Sequence, residues 1–311
     1  MVYRDLGRTG LKVSEVGLGC GPLGSDPHRD YGPLLERALD LGVNFYDTAD
    51  FYGSYRSEEW LGRAFSAKRD QVIIATKFGT VRTVDGMKKD FSAAHMRRAL
   101  EDSLRRLRTD YVDLYQLHSP PRSILDDHDL LAALQQVKQE GKIRFIGISL
   151  DGAESGLEAI RKWQPDAIQI LFNLFNFEPS GCFPAAKKAG VGLIIKAPLD
   201  SGMLGGDLMP GAPMKEDDPR ERWRDDEIAQ RQRLLLEELA FLTQGKTRTW
   251  AQASLAFVLS FAEVSTVIPG TTSTAHLEQD VAAAGMRLTG EEMERLRGLM
   301  NGEFADLNLG W

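Results

Sequence analysis

Short apolar runs alternate with longer amphipathic stretches along most of this chain. Eight runs have the length and the apolar character of buried strands: Val16–Gly19, Val43–Asp47, Val72–Lys77, Val112–His118, Ile143–Ser149, Ala167–Leu171, Val191–Lys196 and Val264–Ile268. The stretches between them space apolar residues three and four positions apart, as helices do: Pro33–Leu41, Ser57–Phe65, Ala93–Leu107, Leu130–Glu140 and Ala153–Trp163. This alternation favours a closed parallel α/β sheet of eight strands, a (β/α)8 TIM barrel, over an open sheet.

The remaining segments are predicted to be additions to a single barrel domain that spans residues 1–311. The chain has 311 residues, and barrels of this kind commonly need about 250. Residues 3–13 alternate around Gly7 and Gly10, which predicts an N-terminal hairpin that caps the barrel floor. Residues 289–311 open like a helix N-terminus and predict an extra C-terminal helix. The irregular tail behind it either reaches the site or seals the barrel wall.

One long stretch interrupts the alternation. Residues 200–226, after the seventh predicted strand, are rich in glycine, proline and charged residues. Loops of this length inside compact domains are usually functional or disordered. Because this loop leaves the side of the barrel where catalytic groups gather, we expect a lid over the mouth. A passive loop is the alternative.

Composition narrows the classes of partner. The net charge is -7 and no long basic run is present, which argues against nucleic acid. The longest uncharged stretch, residues 249–262, is shorter than the about 20 apolar residues that a membrane span needs, and the N-terminus lacks a signal-peptide core. Cys20 and Cys182 are far apart and the histidines are scattered, so we expect free thiols, a cytoplasmic protein and no metal site.

Four polar residues stand at or just past the ends of three successive predicted strands. Asp47 and Tyr52 follow the second strand, Lys77 ends the third and His118 ends the fourth. Since the C-terminal ends of barrel strands face a common mouth, we expect these side chains to converge. A carboxylate, a phenol, an ammonium and an imidazole together predict a proton-transfer site.

The chemistry of the four groups is complementary. A free tyrosine titrates near pH ~10, so its use at neutral pH requires a neighbour such as Lys77 that stabilises phenolate. Asp47 would keep Lys77 charged, and His118 would hydrogen-bond a carbonyl oxygen. Taken singly, each residue also has a structural explanation: an ion pair for Asp47 and Lys77, a half-buried aromatic for Tyr52, and a backbone-bonded histidine for His118.

Longer motifs surround these residues: Asp47–Gly53 with Ser57–Glu58, Ile74–Lys77, Leu114–His118, Gly141–Arg144 with Gly147–Ser149, Gln169 with Asn173–Leu174, Ala197–Leu199 with Gly202–Leu204, and Val267–Gly270. In order and spacing, over nearly the whole chain, they resemble those of the aldo-keto reductases. The resemblance implies Tyr52 as general acid/base, Asp47 and Lys77 as the groups that tune it, and His118 as the residue that orients a carbonyl. It also implies a nicotinamide dinucleotide as hydride carrier.

The resemblance further implies which residues hold that dinucleotide. Ser149 and Gln169 would contact the nicotinamide amide, and residues 270–280 would surround the adenosine. Backbone after Pro198 would lie near the pyrophosphate, around Leu199, Gly202 and Leu204. Within residues 270–280 the candidate contacts are Gly270, Thr272, His276, Gln279 and Asp280.

Two positions depart from the family pattern. Many relatives have asparagine where this chain has Leu150, which removes or replaces one amide contact to the nicotinamide. Many have an aromatic residue, stacked on the nicotinamide, where this chain has Lys196. Lys196 therefore stays a candidate cofactor contact, with two alternatives: it binds an acidic or phosphorylated substrate, or it pairs with Asp200 or another carboxylate of the following loop.

Residues 271–280 contain neither arginine nor lysine. Because the 2′-phosphate of NADP is usually bound by such residues, the sequence favours NAD(H) at least as much as NADP(H). A large preference for NADPH in affinity would contradict this hypothesis.

The leading functional prediction is an NAD(P)-dependent oxidoreductase that interconverts an aldehyde, ketone or sugar lactol with its alcohol or lactone. The partner is then a small-molecule carbonyl or alcohol substrate. One alternative is a cofactor-binding regulatory subunit with little turnover, motivated by Leu150 and Lys196. A more distant alternative is a Schiff-base aldolase, since Lys77 and Lys196 both end strands. The sequence predicts no oligomeric state.

Overall fold

A computed structural model describes residues 1–83, 86–206 and 233–301 of the chain. Its strands, in chain order, are β1 (Tyr3–Asp5), β2 (Lys12–Ser14), β3 (Leu18–Gly19), β4 (Phe45–Asp47), β5 (Ile73–Phe78), β6 (Thr80–Thr83), β7 (Gly86–Lys89), β8 (Val112–His118), β9 (Ile143–Leu150), β10 (Ala167–Leu171), β11 (Gly192–Lys196) and β12 (Val264–Val267). Eight of these strands, β3 to β5 and β8 to β12, form one parallel sheet in sequence order. The predicted parallel sheet is therefore confirmed.

The two edges of this sheet meet. The Gly17 amide donates to the Val267 carbonyl at 2.8 Å, and the Gly19 amide donates to the Pro269 carbonyl at 3.0 Å. Parallel bridges join Val16 to Val267 and Gly19 to Gly270. These contacts bring the first barrel strand beside the last and give a (β/α)8 barrel, as the sequence predicted.

Helices cover the outside of the sheet. They are α1 (Gly32–Asp40), α2 (Arg56–Phe65), α3 (Ala93–Leu107), α4 (His128–Gln139), α5 (Ala153–Lys162), α6 (Phe183–Ala189), α7 (Trp250–Leu259), α8 (Thr274–Val281) and α9 (Gly290–Asn301). The sequence pattern did not mark α7, because this helix is buried on nearly every side and so lacks an amphipathic pattern. No helix of the described residues is long and apolar enough to cross a membrane.

The N-terminal hairpin closes the barrel floor, as expected. Strands β1 and β2 pair antiparallel. Leu6, Leu11 and Val13 of this hairpin are buried in the same apolar cluster as the barrel-interior residues of the sheet. The hairpin thus removes the lower end of the barrel from water and leaves the opposite end as the mouth.

Further segments lie outside the eight-stranded sheet. Strands β6 and β7 form a second antiparallel hairpin. The predicted long loop at residues 200–226 begins with a short 3-10 turn, Asp200–Gly205, and the remainder of the proposed lid lies mostly outside the described residues. Helix α9 confirms the predicted extra C-terminal helix, whereas the tail after residue 301 also lies outside the described residues. Cys20 and Cys182 are buried free thiols.

Gly7 should be critical for docking the hairpin. Its φ is +52°, and an added Cβ would lie 2.4 Å from both the Gly190 carbonyl oxygen and the Gly192 amide nitrogen. Gly7→Ala is expected to lower the free energy of unfolding by about 3 kcal/mol, through both strain and clash. Urea denaturation measures this change. Gly10→Ala is the matched control: its φ is +76° with no atom within 4 Å, so strain alone costs about 1 kcal/mol. Equal losses in the two variants would contradict this prediction.

Candidate active site

The two-residue period of the strands decides which side chains face the mouth. Along β5, Ile73 and Ala75 belong to the barrel-interior cluster, and Lys77 follows them on the same face. The same step of two leads from Phe45 to Asp47 on β4. It also leads from Leu114 through Gln116 to His118, from Ala167 to Gln169 and from Ile194 to Lys196. The interior face therefore becomes polar at the mouth.

Asp47 and Lys77 form a buried ion pair. Lys77 Nζ donates to Asp47 Oδ1 at 2.5 Å and to the Thr48 carbonyl at 2.9 Å. Although burial by itself lowers the pKa of Lys77, Asp47 and Tyr52 raise it above its usual value. The ammonium is therefore held charged, which is what the sequence led us to expect.

Tyr52 lies on the connection between β4 and α2. Lys77 Nζ is 3.4 Å from the Tyr52 hydroxyl and 4.9 Å from the centre of its ring. Burial raises the pKa of Tyr52, and the nearby Lys77 ammonium offsets only part of that increase. The sequence predicted that Lys77 stabilises phenolate; the structure shows that burial outweighs this effect, so the resting phenol holds its proton.

The segment that carries Tyr52 is tied to the barrel by the Ser57–Glu58 motif. The Thr48 and Ser57 hydroxyls are 2.8 Å apart. Thr76 donates to Glu58 at 2.5 Å, and Arg106 donates to the other oxygen of the same carboxylate at 2.7 Å. These buried contacts link β4, β5, α2 and α3 and thereby fix the position of Tyr52 relative to Lys77.

His118 faces Tyr52 across the mouth. The two rings meet edge to face with centroids 5.7 Å apart, and Phe51 packs against both. Burial and the positive charges of Lys77, Lys89 and Lys196 lower the pKa of His118 to about 2. His118 is therefore a neutral imidazole, and its Nδ1 has no hydrogen-bond partner among the described residues.

Gln116 belongs to the site but was absent from the sequence-based candidates. Gln116 Nε2 donates to Asp47 Oδ2 at 2.9 Å, and Gln169 Nε2 donates to the same oxygen at 2.7 Å. Gln116 could have been found from the strand period, since it stands two residues before His118. Gln169, expected to contact a nicotinamide amide, already uses its own amide group to hold Asp47.

Lys196 pairs with a carboxylate that the sequence did not single out. Its ammonium lies 2.7 Å from Asp151, just after β9, and donates to Ser149 Oγ at 3.1 Å. The expected partner was Asp200 or another carboxylate of the loop after β11. Asp151 takes that place because β9 lies two strands from β11 in the barrel, so its C-terminal end is close in space. Leu150 is buried in the core.

A cleft extends sideways from this polar cluster. This side cleft has a volume of about 340 Å³ and is lined by Pro22, Ala197, Pro198, Leu199, Ser201, Gly202, Gly205, Ala251, Ile268, Pro269, Gly270, Thr271, His276, Gln279 and Asp280. Seven of the predicted cofactor contacts are among these residues. Ser149, Gln169 and Lys196 lie at the inner end instead, Leu204 is fully buried, and Thr272 is outside the cleft wall.

The walls of the side cleft suit a long polar ligand. Gly202, with a φ of +97°, and Gly270 both line the cleft, and neither has a side chain to keep a ligand from the backbone. The N-terminal half of α8 supplies His276 to one wall, with Gln279 and the buried Asp280 beyond it. Backbone and polar side chains together fit the phosphates and hydroxyls of a dinucleotide.

One cation beside this cleft comes from the opposite end of the chain. The guanidinium of Arg29, in the connection between β3 and α1, donates to the Thr272 carbonyl. Arg37 on α1 pairs with Glu278 of α8 at 2.8 Å. Residues 271–280 themselves contain neither arginine nor lysine, so the fold supplies guanidinium groups that the local sequence lacks.

Basic side chains at the rim of the mouth already have partners within the protein. Arg122 is paired with Glu154 and Glu158 of α5. Lys89 of β7 donates to the His118 carbonyl at 2.7 Å and to Thr80. Over the described residues, no group of three or more metal-ligating side chains is present.

This arrangement of an ion-paired lysine, a tyrosine and a neutral histidine at a barrel mouth agrees with the comparison to known families. The Aldo/keto reductase family model matches residues 15–301. The chain belongs to the aldo/keto reductase family. Members of this family act on small-molecule carbonyl substrates and use NAD(P)H, so the chain is an aldo-keto reductase family oxidoreductase.

Similar proteins and solved structures support the assignment of this aldo-keto reductase. An uncharacterized oxidoreductase of Bacillus subtilis is 33% identical over 96% of both chains. L-galactose dehydrogenase of Arabidopsis thaliana is 33% identical over 90% of this chain and 87% of the relative. The holo form of an aldo-keto reductase from Bacillus halodurans superposes with a TM-score of 0.80, at 32% identity over 96% of each chain. Glycerol dehydrogenase of Gluconobacter oxydans superposes with a TM-score of 0.84, at 25% identity over 99% of this chain and 98% of that structure.

The neutral state of His118 predicts how stability depends on pH. Its folded pKa of about 2 lies below the usual 6.5, so only the unfolded chain gains a proton as the pH falls below about 6.5. Stability is therefore lost progressively between pH ~6.5 and ~2. His118→Asn is expected to lose about 2 kcal/mol less than the unmodified protein between pH ~6.5 and ~4.5. Urea denaturation at each pH measures this difference.

His28→Asn provides the control, because His28 is exposed on the connection between β3 and α1. This variant should keep the pH dependence of the unmodified protein. An identical acid loss in His118→Asn and the unmodified protein would show that His118 is protonated in the folded state.

Proposed function

We propose that this protein is an NAD(P)-dependent oxidoreductase that interconverts an aldehyde, ketone or sugar lactol with its alcohol or lactone. The observation that carries the proposal is the position of the Tyr52 hydroxyl. It lies 3.4 Å from the Lys77 ammonium and faces the His118 ring across the mouth. A carbonyl oxygen placed between Tyr52 and His118 would meet a proton donor and a neutral imidazole together.

We assign the proton to Tyr52. In reduction, the Tyr52 hydroxyl gives its proton to the carbonyl oxygen, and the bound dinucleotide supplies the hydride to the carbonyl carbon. In oxidation, Tyr52 accepts the alcohol proton. The raised pKa of Tyr52 suits the first direction, because the phenol is fully protonated at neutral pH. Lys77 then stabilises the phenolate that remains after transfer.

His118 and Asp47 have positioning roles in this proposal. Neutral His118 hydrogen-bonds the carbonyl oxygen without competing for the proton that Tyr52 transfers. Asp47 holds Lys77 in place, and the amides of Gln116 and Gln169 hold Asp47. Removal of Asp47 would leave the buried Lys77 ammonium uncompensated.

The Schiff-base alternative has little support in this geometry. An imine-forming lysine must be neutral to attack a carbonyl. Lys77 is ion-paired with a raised pKa. Lys196 is ion-paired with Asp151, which offsets part of the lowering of its pKa by burial. The absence of borohydride trapping on either lysine in the presence of a carbonyl substrate would agree with this view.

The proposed dinucleotide lies with its adenosine end beside α8 and its nicotinamide end at Ser149 and Lys196. Gly202, Gly270 and the backbone at Pro198 and Leu199 line the stretch between, with His276, Gln279 and Asp280 beside the adenosine. We propose that NAD(H) binds at least as well as NADP(H), supported by the absence of arginine and lysine at positions 271–280 and by the exposed carboxylate of Glu278. A large affinity preference for NADPH would overturn this proposal.

We propose sugars and polyols as the first substrates to test. Two of the relatives carry the names L-galactose dehydrogenase and glycerol dehydrogenase, and the mouth of this chain offers the hydrogen-bonding groups of Ser149, Lys89 and Asp151 to hydroxyl-bearing ligands. A panel of aldehydes, ketones, lactols and their alcohols, followed by nicotinamide absorbance, would identify the class.

Tyr52→Phe tests the central proposal. The variant lacks the transferable proton, so kcat for carbonyl reduction should fall by about 10²- to 10⁴-fold, with the Kd for NADH or NADPH within about twofold. Tyr55→Phe is the matched control on the same segment, since Tyr55 is 41% exposed and should keep full activity. Tight cofactor binding without turnover on any substrate of the panel would instead favour the regulatory-subunit alternative.

Arg29→Gln tests how the extra phosphate of NADP(H) is bound. Because the Arg29 guanidinium lies against Thr272, it is the group we expect beside a 2′-phosphate. The Kd for NADPH should rise by about tenfold, as for the loss of one charged hydrogen bond, while the Kd for NADH changes less than about twofold. Arg37→Gln is the comparison, since Arg37 is already paired with Glu278. Equal effects on both cofactors would refute the assignment of Arg29.

A further inference from the structure

Lys196 stands at the junction between the side cleft and the catalytic cluster. It is the last residue of β11, and the next residue, Ala197, lines the cleft. Its ammonium reaches Ser149 Oγ at 3.1 Å, and Ser149 is paired in register with His118 of the neighbouring strand. A ligand that passes from the cleft to Tyr52 therefore passes Lys196.

The reacting ring must come close to this ammonium. Hydride transfer requires the donor carbon to approach the carbonyl carbon to about 3–3.5 Å. That carbonyl is held by Tyr52 and His118 at the mouth. The ring that delivers the hydride must therefore lie between the side cleft and these two residues, which is the space beside Lys196 and Ser149.

The ammonium at this position is largely enclosed and ion-paired. The Lys196 side chain is 21% exposed, and its carboxylate partner Asp151, at 2.7 Å, is 67% exposed. Burial lowers the pKa of Lys196, and Asp151 offsets part of that decrease. The exposure of Asp151 to water weakens the field of its carboxylate in the site. The positive field of Lys196 does reach the catalytic cluster, because Lys196 is one of the cations that lower the pKa of His118.

We propose that the Lys196 ammonium makes the site bind reduced nicotinamide more tightly than oxidised nicotinamide. The inference rests on the proposed function. The oxidised ring carries a positive charge and the reduced ring is neutral, while the remainder of the dinucleotide is identical. A fixed cation beside the ring therefore discriminates between the two oxidation states by charge alone.

The expected size of the effect is on the order of tenfold in affinity. The Lys196 ammonium would repel an oxidised ring but not a reduced one, and Asp151 offsets a part of that repulsion. For a two-electron couple, a tenfold difference raises the midpoint potential of the bound cofactor by about 30 mV. The bound dinucleotide is then held preferentially in the form that reduces a carbonyl.

Binding measurements test this inference without turnover. The Kd values of NADH, NAD⁺, NADPH and NADP⁺ are measured for the unmodified protein and for Lys196→Met, by fluorescence for the reduced forms and calorimetry for the oxidised forms. Lys196→Met keeps side-chain length and removes the charge, so the ratio of oxidised to reduced Kd should fall by about tenfold. An unchanged ratio, with both Kd values shifting together, would overturn the inference and leave Lys196 as a packing residue.

Two further variants separate charge from packing. Lys196→Arg retains the charge and should retain the ratio. Asp151→Asn removes the offsetting carboxylate from an exposed position, so the ratio should rise by a few-fold. A decrease in the ratio for Asp151→Asn would contradict the role of charge.

Failure of this inference is distinguishable from failure of the proposed function. If the unmodified protein binds none of the four dinucleotides, the proposed function itself is refuted. If it binds them and Tyr52→Phe abolishes turnover, but Lys196→Met leaves the ratio unchanged, only the inference about Lys196 is refuted.

Discussion

The buried ion pair between Lys77 and Asp47 is the interaction on which the site depends. A fully buried ammonium costs several kcal/mol in lost hydration, and its partner must recover that energy through close geometry and further hydrogen bonds. The Thr48 carbonyl completes the shell of Lys77, and two glutamine amides complete that of Asp47. Tyr52 is placed against this network, so the position of the phenol follows from the need to satisfy a buried charge.

The barrel makes this network possible because its interior face runs continuously from floor to mouth. Apolar residues such as Phe45 and Ala75 fill the lower part. Two residues further along each strand, polar side chains occupy the same face. Closure between Gly19 and Gly270 then brings the eight strand ends into a ring. An open sheet carrying the same residues would spread them along an edge.

Electrostatics within the ring assign different protonation states to neighbouring groups. Burial keeps Tyr52 protonated, and burial together with three surrounding ammonium groups keeps His118 neutral. Lys77 is held charged by Asp47. A site with one protonated phenol, one neutral imidazole and fixed cations is prepared to donate a proton to a carbonyl oxygen and to stabilise the negative charge that follows.

The sequence by itself determined the barrel, the floor hairpin and the catalytic candidates, because these depend on local periodicity and on the rule that residues at strand ends face one mouth. Only the tertiary structure decided which charges meet. Asp151 rather than Asp200 pairs with Lys196, and Arg29 reaches Thr272 across 243 positions of sequence. It also decided that burial outweighs Lys77 at Tyr52. Pairing, desolvation and field strength depend on distances through space, and local sequence patterns do not contain those distances.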